Sequence, residues 1–112
     1  MSEPSPAATV ERVDAERLYQ IVIDGGRAGL VAYRDRDNQR VFYHTEVDDA
    51  FAGQGLASRL VQQALTDTRS AGKRIVPVCP YVAAFLKRHE EFADVTDAVT
   101  PEIGKWLESE LS

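Results

Sequence analysis

Apolar and polar residues alternate along the first half of the chain, and then the period changes. In "RLYQIVI" (17–23) β-branched and aromatic residues dominate, and the run stops at the turn signal "DGG". "AGLVAYR" (28–34) ends at "DRDN", and "RVFYHTEV" (40–47) follows it. Loops of hairpin length join the three runs, which predicts an antiparallel meander. From Gly55 onward the apolar positions Leu56, Leu60, Val61, Ala64, Leu65 and Ala71 have the spacing of an amphipathic helix, with Gly72 as its C-terminal stop. "KRIVPVC" (73–79) predicts a short strand whose Pro77 suits an edge or a bulge. Pro80 fits the first position of a second helix, with Val82, Phe85, Leu86 and His89 on one face. Thr100 as N-cap and Pro101 after it begin a third, with Ile103, Trp106 and Leu107 as the buried stripe. The predicted fold class is α+β: an antiparallel β-meander followed by a strand–helix–strand unit with parallel strands. Residues 1–9 carry too few bulky apolar groups to offset the entropy of ordering. They are expected to form a disordered tail, with residues 10–112 as a single domain.

Composition narrows the function classes. At 112 residues the chain has room for one modest core, and its 44% hydrophobic and 28% charged content is ordinary for a globular protein. A net charge of −5 argues against sequence-independent nucleic-acid binding, which needs an excess of Lys and Arg. A small polyanion is still admitted, because a local backbone site can oppose the global charge. The lone Cys79 excludes an internal disulfide and fits a reducing compartment. Neither a signal peptide nor a membrane span is legible, so a cytoplasmic location and no membrane partner are expected.

The change of period falls on "AGQGLASR" (52–59), a glycine loop between a strand and a helix. A helix N-terminus offers unpaired N–H groups and the positive end of the helix dipole, and glycines let a phosphate approach the backbone. The P-loop pattern fails, because Leu56-Ala57 follows Gly55 where Lys-Ser or Lys-Thr is needed. "GQGLAS" imitates the dinucleotide fingerprint, but the acid expected about 20 residues on is missing and the chain is too short for a doubly wound sheet.

"HTEVDDAFAGQGLASRL", followed by "VPVCPYVAAFLKRHEEF", resembles the small single-domain members of the Gcn5-related N-acetyltransferase family, over about residues 18–93. The resemblance implies a minimal version of that fold with its two parallel strands splayed apart. It also implies a loop of the form Arg/Gln-x-x-Gly-x-Gly/Ala around the pyrophosphate of coenzyme A. The pattern's glycine falls on Gly55 and its final small residue on Ala57, while Ala52 stands where Arg or Gln is usual. Cofactor-binding residues are thereby expected at Val47, Ala52, Gly53, Gln54, Gly55, Leu56, Ala57 and Ser58, with Arg88 as a further phosphate contact. Acetyl-CoA is the expected co-substrate and an amine, such as a protein lysine or N-terminus, the expected acceptor. The resemblance implies no metal, and two histidines and one cysteine spread along the chain make no zinc site. The protein is expected to act as a monomer.

Acetyl transfer needs a deprotonated amine, a polarised thioester carbonyl and a proton for the leaving thiolate. The resemblance puts His44 and Cys79 near the acetyl group, and Glu46 can act as a base through a water. Cys79, just before Pro80, is a candidate N-cap, a position that favours the thiolate, though a reactive thiolate would need a second cation. His44 is the candidate for that cation. In an ideal strand Phe42, His44 and Glu46 share one face, but a bulge, common in the family at this point, breaks that phase. The sequence leaves open whether Cys79 carries the acetyl group, protonates the thiolate or is a buried small hydrophobe. Tyr43, Tyr81 and Phe85 are expected in the core. The rival readings are a non-catalytic coenzyme A binding module and a cysteine-dependent acyl hydrolase.

Overall fold

A computed structural model describes residues 8–48 and 55–112. Strands β1 (Ala8–Val13), β2 (Leu18–Ile23), β3 (Gly26–Arg36) and β4 (Gln39–Val47) form an antiparallel meander. Helix α1 (Leu56–Ser70) then crosses over to β5 (Arg74–Pro77), which pairs with β4 in parallel. The five-stranded sheet has the order β1-β2-β3-β4-β5. Helix α2 (Pro80–Arg88), a 3₁₀ segment (Glu90–Val95) and helix α3 (Pro101–Leu111) complete the fold.

Turn chemistry fixes the meander. Between β2 and β3, Asp24 (φ 52°) and Gly25 (φ 81°) both lie in the left-handed region, the requirement of the two-residue turn whose twist matches the strands. At the end of α1, Gly72 (φ 75°) stops the helix, with its N–H on the Arg69 carbonyl. Thr100 caps α3 as expected, its hydroxyl accepting from Ile103 N–H at 3.2 Å. Pro77 ends β5, the edge strand of the sheet.

Each helix covers a different part of the sheet. Leu56, Leu60, Val61, Ala64 and Leu65 of α1 join Val82 and Phe85 of α2 over one face, packed on Tyr19, Ile21, Val31, Tyr33, Phe42 and Ile75. On the other face Ile103 and Leu107 of α3 cover Val41 and Val76, with Tyr43, Val78 and Trp106 at the margin. Beyond that patch the second face of β4 is open to solvent, since His44 and Glu46 are exposed.

The first strand departs from the expectation of a tail through residue 9. Ala8 pairs with Ile23 and Val13 with Leu18. Ala8 and Val10 lean on the core while Thr9, Glu11 and Arg12 face water, as an edge strand permits. Tyr81 also departs: it is 40% exposed in the first turn of α2, one turn before the buried Phe85.

Candidate active site

Strands β4 and β5 begin together and end apart. Their pairing runs from Gln39 opposite Arg74 to Phe42 opposite Pro77, and a last bond joins Cys79 N–H to the Phe42 carbonyl at 2.9 Å. The chain then enters α2 at Pro80, while β4 continues to Val47 with, among the described residues, only β3 paired beside it. Residues 43–47 therefore present a free strand edge. Asp48 N–H bonds the Ala28 carbonyl at 2.7 Å. Antiparallel alternation then turns the main-chain groups of Thr45 and Val47 away from β3, toward the gap.

A bulge redirects the side chains along this edge. Ala32 pairs with His44 and Tyr33 with Phe42, so Tyr43 is an extra residue in β4. The alternation resets behind it. Phe42 lies in the core under α1 and α2, and Thr45, three residues on, turns to the same side, its Oγ1 3.2 Å from Cys79 Sγ. His44 and Glu46 point to the opposite, open face and bond each other, Nε2 to Oε2 at 2.8 Å, with side chains 53% and 63% exposed. Cys79 is 4% exposed. No hydrogen bond or ion pair joins it to His44 among the described residues, so the expected His44–Cys79 partnership is not formed. The ideal-strand face shared by Phe42, His44 and Glu46 is broken by the bulge.

Start of α1. Gly55 (φ 73°) is its N-cap residue and has no side chain to cap it, in contrast with Thr100 of α3. Leu56 is buried in the core, Ala57 half-buried and Ser58 exposed. The expected cofactor residues Ala52, Gly53 and Gln54 lie outside the described residues. Ser58 and Arg88, expected separately, are brought together: with Tyr81, Phe85 and His89 they line one cavity of about 80 Å³. His89 stacks on Phe85 with ring centroids 3.9 Å apart. Residue spacing placed those two rings on one face of α2, but nothing in the sequence announced the approach of α1. Thr45 was missed as well, because a bulge is set by pairing with β3 and leaves no local signal in "FYHTEV".

A larger cavity among the described residues, about 540 Å³, lies at the other end of the sheet among ion pairs of Arg12, Arg34, Arg40 and Lys73 with acidic partners. None of the expected site residues lines it. Chemistry and topology both favour the β4–β5 gap over this larger crevice.

Gly29 is the close contact that sets the outer end of β4. A Cβ there would lie 2.8 Å from the Glu46 main-chain oxygen and 3.2 Å from Val47 Cγ2. Gly29→Ala is expected to cost about 1–3 kcal/mol of stability by urea titration, because backbone must yield on both strands.

The family model described as GCN5-related N-acetyl-transferase matches residues 18–95. The chain belongs to the GCN5-related N-acetyltransferase family. Members of this family are acetyl-CoA-dependent N-acetyltransferases, and acetyl transfer is the activity that membership gives this chain. The fold agrees with two solved structures. A GCN5-like protein from Staphylococcus aureus, determined in solution, shares 21% identity over 83% of this chain and 91% of its own, with a TM-score of 0.63. The ribosomal-protein-S18-alanine N-acetyltransferase from Escherichia coli shares 16% identity over 65% of this chain and 52% of its own, with a TM-score of 0.56. A comparison with curated protein sequences gave no match.

Proposed function

We propose that the chain transfers acetyl from acetyl-CoA directly to an amine on a protein, a lysine or an N-terminus, at the free edge of β4. The observation that carries this reading is the overhang of residues 43–47 beyond β5, together with a helix start whose N-cap residue, Gly55, has no side chain to cap it. A free edge accepts an extended, amide-bearing arm as a neighbouring strand would be accepted, and Thr45 and Val47 supply the main-chain groups. The N–H groups of Gly55, Leu56, Ala57 and Ser58, with Ala52, Gly53 and Gln54 before them, hold the diphosphate, and Arg88 meets a further phosphate.

Acetyl-CoA supplies a thioester as acetyl donor. The amine approaches on the open face, where the His44–Glu46 pair takes its proton. As the new N–C bond forms the C–S bond breaks, and Cys79, on the other side of the edge, gives a proton to the departing thiolate. Two observations support direct transfer over an acetyl-cysteine. Cys79 is buried, and no cation touches its sulfur among the described residues, whereas a nucleophilic thiolate needs one. The net charge of −5 steers a cationic acceptor toward the site.

Acetyl-CoA at about 100 times its dissociation constant is expected to stabilise the fold by about 2.7 kcal/mol, read by thermal or urea unfolding. Incubation with lysine-containing and free N-terminal peptides should then release free coenzyme A and give acetylated peptide by mass spectrometry. An unchanged unfolding curve removes both coenzyme readings. Stabilisation without turnover leaves the binding module, and thiol release without acetylated peptide leaves the hydrolase.

A further inference from the structure

We propose that Thr45 is a positioning residue: its hydroxyl donates to Cys79 Sγ and holds that sulfur at the free edge of β4. Its role rests on the acetyl-transfer reading; the contact itself rests on the bulge. With Tyr43 as the extra residue, Thr45 replaces His44 on the side of the strand that faces α2, and its Oγ1 comes to 3.2 Å from the sulfur.

The main chain of Cys79 is fixed at both ends. Its N–H is on the Phe42 carbonyl at 2.9 Å, and its carbonyl accepts from Ala83 N–H at 3.0 Å. Only the side-chain rotamer is left to set. The sulfur does not cap α2, although Cys79 is the N-cap residue. It sits instead in the apolar cluster with Phe42, Val82 and Phe85. A sulfur that gives up its proton there acquires a charge in apolar surroundings, which is costly without a donor. Among the described residues the Thr45 hydroxyl is the one side chain bonded to it; either partner can donate while the sulfur is a thiol, and only the hydroxyl can once it is a thiolate. His44 is occupied with Glu46 on the opposite face. Thr45 is therefore the group that lets Cys79 act as the acid for the leaving thiolate.

Cys79 is the only cysteine of the chain, so alkylation by iodoacetamide reports on it alone; because the sulfur is buried, each rate is divided by the open fraction that amide exchange gives for the same variant. The pH–rate profile of alkylation for Thr45→Val is expected to move to higher pH, with a rate about tenfold lower near pH 8, which corresponds to ~1.4 kcal/mol. Thr45→Ser should keep the wild-type profile, because it keeps the hydroxyl. Thr45→Ala should follow Thr45→Val, and it replaces that variant if valine prevents folding. A valine or alanine profile identical to wild type, or a serine profile displaced as far as theirs, overturns the assignment. Acetyl-CoA stabilisation of the wild-type chain separates the two claims. If it is missing while the profiles divide as expected, the transfer reading falls and the Thr45–Cys79 contact stands. If stabilisation and turnover are present and the profiles coincide, transfer stands and Thr45 loses its role.

Discussion

Phe42→Ala is expected to lower the free energy of unfolding by about 3–5 kcal/mol, the cost of emptying a large aromatic site in a close-packed core. The ring is fully buried and meets Tyr19 and Tyr33 with centroids 6.2 and 6.3 Å away. Its backbone has a second function. Phe42 is the last residue of β4 to pair with β5, its carbonyl holds Cys79 N–H, and the bulge begins directly after it. The residue thus joins the core to the point where the two strands part. Domains of this size hold about 5–15 kcal/mol in total, so the variant should lose about a fifth of its stability or more. Urea titration at unchanged slope reads the difference. Phe42→Leu keeps most of the volume and should lose less than about 1.5 kcal/mol. If alanine costs no more than leucine, the ring is not a core anchor and the account of the strand junction fails.

The same junction marks how far the chain could be read without coordinates. The meander was legible because alternation and "DGG" are local signals, and the Asp24-Gly25 turn has the dihedral angles that signal demands. The crossover helix, the stop at Gly72 and the starts at Pro80 and Thr100 were legible for the same reason. β1 was not. "ATVERV" carries three strongly polar residues in six and becomes a strand only because β2 offers an unpaired edge. The bulge at Tyr43 was equally hidden, since one strand gains a residue only relative to its partner. That omission decided the site. Thr45, unremarked in the sequence, meets Cys79, while His44, expected there, meets Glu46. The residue types of the site were readable, but their grouping depended on register.

Arg40 carries the second large effect, at the opposite end of the sheet. It is 4% exposed, and its guanidinium is fully committed. Nε and Nη2 hold both oxygens of Asp35 at 2.8 and 3.1 Å, Nη1 donates to Tyr19 Oη at 2.6 Å, and the group lies 4.4 Å over the Tyr33 ring. Burial works against its charge, but the bonds it donates to Asp35 and the neighbouring groups outweigh it and hold the guanidinium protonated. Arg40→Ala removes the 2.6 Å donor to Tyr19 Oη and leaves a gap between two aromatic rings. Asp35 keeps partial solvation and Lys73 at 3.9 Å. The expected loss is about 3 kcal/mol, the lower end for breaking a buried pair. Arg40→Lys should recover the charge but not the fork, and so fall between wild type and alanine. The two phenols beneath give a pH signature. Burial pushes Tyr19 up and Tyr33 up to about 12, from an ordinary value of 10. A phenol whose folded value is raised stabilises the fold fully below pH 10 and ceases to do so as pH rises through the folded value. The wild-type unfolding free energy should therefore fall between pH 10 and 12, while tyrosinate absorbance shows a component delayed beyond pH 10. Undelayed absorbance, together with an Arg40→Ala variant as stable as wild type, would show that the guanidinium and its two tyrosines do not form the packed unit that closes this end of the sheet.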